Sequence, residues 1–128
     1  LTQSEISHAS TGHHRKIRHL NLPDDVMVYH INGSLFFGTV EKALDRTGFI
    51  QPHIRTLIID MEDVPLIDMT GLVAMKTLIL DVQKQQRNII LCGSREVVQK
   101  ILQKLPVHAV TGLQTAESLE QGITLIRT

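Results

Sequence analysis

Among 128 residues there is one cysteine, no excess of either charge, and no apolar run long enough to cross a bilayer. Each shortage removes a class of function. Cys92 has no partner for an intramolecular disulfide, and its place in the run Ile89, Ile90, Leu91, Cys92 suits a small buried hydrophobe in a reducing compartment. Thirteen basic residues balance thirteen acidic ones, so nothing draws the surface broadly toward nucleic acid or an anionic membrane. A spanning helix needs about 20 successive apolar residues. None occur, and no basic-then-apolar secretion leader is present, so these residues alone are expected to be soluble.

Chemistry-bearing constellations are equally scarce. There is no glycine-rich phosphate loop, nucleophile elbow or paired His–carboxylate motif, and Gly93 is a lone glycine. The carboxylates Asp60, Glu62, Asp63 and Asp68 and the histidines His30, His53 and His108 are not grouped along the chain. A carboxylate beside a strand end is ordinarily a turn former, so an enzyme is not expected. His8, His13 and His14 lack a cysteine or carboxylate cluster to complete a metal site and a neighbour to orient their rings, so no metal is expected.

What is present reads as one domain with a lead-in. The length leaves room for a single core that buries roughly two thirds of the unfolded surface. Residues 1–18 crowd Ser, Thr, His and Gly with little apolar periodicity, which buries too little to offset the entropy of ordering. The chain also starts at Leu1 with no initiator methionine, as a cut linker would. The lead-in is placed at 1–22 and the folded domain at 23–128.

From Lys16 onward the pattern becomes regular. Residues 26–31 form a short apolar strand ended by Asn32 and Gly33, and Leu35, Phe36 and Phe37 follow at once. Two strands so close predict an antiparallel hairpin. Thr39 caps an amphipathic helix with Val40, Ala43 and Leu44 inward, ended by Gly48. Residues 56–61 are apolar up to an acidic end, as in a central strand buried on both faces. Leu72, Met75, Leu78, Ile79 and Val82 then recur at helical spacing, and residues 89–92 make a second buried strand. Ser94 is placed to cap a helix with Val97, Val98, Ile101, Leu102 and Leu105 inward, stopped by Pro106. A short apolar segment at 107–110 precedes a last helix opened by Thr115, with Leu119, Ile123 and Ile126 inward. The alternation predicts an α/β sandwich: a mixed, mostly parallel sheet of four to five strands with helices packed on it.

Two stretches resemble a known family. Residues 25–37, with Asn32, Gly33, Leu35, Phe36 and Phe37 and the following Val40, Glu41, Lys42, are similar to the opening of STAS domains in SulP transporters. Val64, Pro65, Leu66, Ile67, Asp68, Met69, Thr70, Gly71 and Leu72 look like that family's signature loop. The resemblance spans about residues 23–127. It implies a cytosolic regulatory domain at the carboxyl end of a secondary anion transporter of the sulfate, bicarbonate or dicarboxylate class, at the cytoplasmic face of the plasma membrane. Implied partners are the membrane domain of the same transporter, a second copy in a homodimer, or a soluble regulatory protein. STAS domains also serve as anti-sigma factor antagonists, in which a serine directly after the loop's aspartate is phosphorylated. That position here is Met69, which has no hydroxyl to accept a phosphate.

The loop has a physical reading of its own. Amides at the start of the Leu72 helix carry the positive end of its dipole, so residues 68–72 can receive a nucleotide phosphate or small anion. Asp68 or Thr70 can equally satisfy those amides from within as a cap. Of Phe36 and Phe37, successive in a strand, one must point away from the core face, where it is either covered or offered to a partner.

Overall fold

The computed structural model describes residues 5–7, 22–36, 50–106 and 112–127. In chain order the elements are β1 Glu5–Ser7, β2 Val26–Asn32, β3 Thr56–Asp63, α1 Met69–Lys84, β4 Asn88–Cys92, α2 Glu96–Leu102, β5 Leu113–Ala116 and α3 Leu119–Arg127. The five strands lie side by side in sequence order, and every neighbouring pair is parallel. Strands laid down in one direction with right-handed crossovers put their connecting helices on one face. Accordingly α1 and α2 share a face, and α3 takes the other.

Period-two alternation divides the apolar residues between two cores. Met27, Tyr29, Ile31, Leu57, Ile59, Met61, Ile89 and Leu91 face α1 and α2, where they meet Leu72, Met75, Leu78, Ile79, Val82 and Val98. Val26, Val28, Ile58, Ile90 and Cys92 face α3, where they meet Leu119 and Ile123. β3 is paired on both edges and buried on both faces through Met61, which explains why its sequence is a continuous apolar run rather than an alternation.

The hairpin expected at Asn32–Gly33 does not form. Gly33, at φ +118°, bends the chain without reversing it. Its amide still bonds Asp63 O at 3.0 Å, and Leu35 pairs parallel with Ile67. β2 therefore continues alongside the exit of β3, and no antiparallel pair occurs among the described residues. The sheet expected to be mixed is parallel throughout that set.

Glu5–Ser7 pair with Val28, Tyr29 and His30 of β2. Expectations for the two later helices need correction. Ser94 does not cap α2: the cap position is Arg95, with no side-chain bond to the helix, and the Ser94 hydroxyl turns instead to Met61 Sδ at 3.6 Å. Val97 is exposed, and α2 ends at Leu102, before Pro106. Thr115 lies within β5, and α3 is opened instead by Ser118, whose hydroxyl accepts from the Gln121 amide at 3.1 Å. Strand and helix start compete for the same Thr-rich stretch, and pairing with Leu91 wins at Thr115. The helix expected from Thr39 to Gly48, the segment 107–110 and Phe37 lie outside the described residues.

Candidate functional site

The signature loop runs from the end of β3 to the start of α1, and backbone contacts with Leu35 fix it. The Leu35 amide donates to Leu66 O at 2.8 Å, and Leu35 O accepts from the Asp68 amide at 3.3 Å. Helix α1 starts so close to this strand that a Cβ on Gly71 would collide with the Leu35 carbonyl, whose carbon would lie only 2.8 Å away. Gly71 is therefore required by close approach of two backbones.

Asp68 caps the helix. Its Oδ1 accepts from the Gly71 amide at 2.7 Å and from the Thr70 hydroxyl at 2.7 Å, while its carbonyl accepts from the Leu72 amide at 2.9 Å. The hydrogen bond from Thr70 and that from the Gly71 amide hold the carboxyl below its ordinary value of 3.8. Of the two cap candidates Asp68 is the one used, and Thr70 donates to it. Leu72 is buried, and Met69 and Thr70 are exposed.

Around the capped helix start lies an apolar surface. Phe36 is 45% exposed, Leu66 43%, Met69 56% and Val73 57%. Met69 and Val73 are four residues apart on one helix face, and the Leu35–Ile67 bridge brings Phe36 beside Leu66. All four lie on the two segments that flank or open α1. Only Phe36 of this group was singled out as a surface residue by sequence. Leu66 and Val73 needed the loop and helix to be placed first.

A second grouping lies inside the fold, where sequence reasoning left the titratable residues apart. His30 and Asp60 are both fully buried and sit opposite each other in the β2–β3 register. Nδ1 of His30 is 3.3 Å from Asp60 Oδ2, and Nε2 is 3.1 Å from Asp63 Oδ2. The other Asp60 oxygen accepts from the Glu62 amide at 3.1 Å. Between His30–Asp60 and Asn32–Asp63, β3 spends one more residue than β2. This bulge turns Asp63 onto the face of His30, which strict alternation would deny it. One sequence signal pointed here: His30 and Asp60 each stand four residues after the start of a buried strand, in parallel register. Glu62 and His53 are exposed and stand outside the cluster; His8, His13, His14 and His108 lie outside the described residues.

The STAS domain family model matches residues 19–122. No curated protein matches the chain. Among solved structures, the chain is similar to a sulfate transporter family protein from Wolinella succinogenes, at 22% identity and a TM-score of 0.75, covering 84% of this chain and 89% of that one. It is similar to the STAS domain of a SulP transporter from Vibrio cholerae, at 21% identity and a TM-score of 0.66, covering 84% of each. It is also similar to a Thermotoga maritima protein described as an anti-sigma factor antagonist, at 14% identity and a TM-score of 0.65, covering 84% of this chain and 92% of that one.

Two outcomes follow from this geometry. Because the Asp68 carboxyl is held below 3.8 in the fold, its ionised cap stabilises the protein fully above the ordinary carboxylate value and loses that contribution as pH falls through the lower folded one. Urea unfolding of the wild type and Asp68→Asn across pH 7 to 2 is expected to show a wild-type advantage that closes below 3.8; an advantage growing toward acid would contradict the cap. For the buried cluster, His30→Leu is expected to cost on the order of 3–5 kcal/mol, since a buried carboxylate loses its ring. Adding Asp60→Leu should recover part of that loss, with a coupling above about 1 kcal/mol in a double-mutant cycle.

Proposed function

This chain belongs to the STAS domain family, and we propose that it is the cytosolic regulatory domain of a SulP-type anion transporter, acting in the transporter's assembly or regulation and not in catalysis. The observation that carries this reading is Met69. It stands directly after the capping Asp68, at the first residue of α1, with its side chain 56% exposed. In the phosphoswitch branch of the family that position carries the phosphoacceptor serine, and a thioether cannot accept a phosphoryl group.

In this reading the partner surface is the apolar group at the start of α1, and the partner is the membrane domain of the same transporter. No described helix is long and apolar enough to cross a membrane, and this reading gives transport itself to that other domain. The signature loop is assigned a structural part with no cofactor: Asp68 already occupies the Gly71 and Leu72 amides that a phosphate or nucleotide would use. The cluster of His30 and Asp60 is sealed from solvent, which supports a structural part for it as well.

The test is the full reading frame. A transporter domain predicts a series of apolar spans of about 20 residues each on the amino side of Leu1. A reading frame that opens at this domain, in a cell where the protein is phosphorylated by a partner kinase, would overturn the reading in favour of an anti-sigma factor antagonist.

A further inference from the structure

The four methionines of the chain do not share one environment. Met27, Met61 and Met75 are 4%, 0% and 0% exposed, whereas Met69 is 56% exposed. Cys92, the thiol that would otherwise react readily, is fully buried. We propose that Met69 is a selective site of oxidation by hydrogen peroxide, and that its oxidation makes the surface of Phe36, Leu66, Met69 and Val73 more polar without unfolding the domain.

The chemistry balances with peroxide as the sole co-reactant. A sulfur lone pair attacks one peroxide oxygen, the O–O bond breaks, the sulfoxide S–O bond forms, and the second oxygen leaves as water carrying both hydrogens. Sulfur loses two electrons and peroxide gains them. The product places a polar, hydrogen-bond-accepting oxygen where an apolar thioether stood.

The fold can absorb this change because, among the described residues, the helix cap and the core face of α1 are built from other side chains. The helix cap passes from Asp68 to Gly71, Thr70 and Leu72. The inward positions of α1 are held by Leu72, Met75, Leu78, Ile79 and Val82. Oxidation of Met75 or Met61 would instead put an oxygen into the core facing α1, where no water can solvate it. One methionine can therefore be oxidised in the native state while three cannot.

The experiment exposes the whole chain to dilute hydrogen peroxide and follows oxygen uptake by mass spectrometry of its peptides. One oxygen is expected on the peptide holding Met69, roughly tenfold or more ahead of the other three methionines, as exposure governs susceptibility. The oxidised protein should elute earlier from a phenyl column, with its thermal melting unchanged. Met69→Leu should neither gain that oxygen nor change its retention after peroxide. Comparable uptake at Met27, Met61 or Met75 would overturn the proposal, as would unchanged retention or loss of the folded melt once Met69 alone is oxidised.

Discussion

The carbonyl oxygen of Leu35 is the point on which the region around the signature loop depends. It accepts the Asp68 amide and lies against the Cα of Gly71, while the Leu35 amide binds the loop on its other side. These contacts tie the exit of β2 to the turn after β3 and set the direction in which α1 leaves the sheet. Once α1 is set there, Asp68 falls at the cap position, Leu72 and Met75 fall on the core side, and Met69 and Val73 fall on the solvent side. The exposed apolar surface is thus a consequence of how closely two backbones approach.

The parallel sheet exerts a second constraint from within. With β3 paired on both edges and covered on both faces, a polar residue along it must find its partner inside the protein. Asp60 does so across the strand at His30 and along the strand at the Glu62 amide. The bulge then adds Asp63 on the half-exposed side of the ring. A buried polar grouping of this kind is poor evidence for stability and better evidence for register, since slipping β2 against β3 by one residue would separate the His30 ring from Asp60 and Asp63.

Much of this was legible along the chain. The continuous apolar runs of β3 and β4, the helical spacing from Leu72 to Val82 and the loop from Val64 to Leu72 carried the α/β class, the central strand and the family resemblance. What failed, failed where a local signal competed with a long-range one. Asn32–Gly33 is a good hairpin turn by itself, but the edge beside Ile67 captured Leu35 for a parallel bridge. Thr115 is a good helix cap by itself, but the β4 edge captured it for β5. The His30 grouping was hidden for a related reason: its members are 30 residues apart and meet only through register.

The Asp68 cap and the Leu35 contacts leave the loop at the start of α1 fixed by internal bonds. The most direct measurement of that claim is the stability of Gly71→Ala. In an open helix this change gains about 1 kcal/mol, because alanine is the better helix former. Against the Leu35 carbonyl the added methyl forces the two backbones apart, and urea unfolding should show a net loss of about 1–3 kcal/mol. A net gain in stability would mean that α1 does not rest on Leu35, and the placement of the loop, the cap and the apolar surface would fall with it.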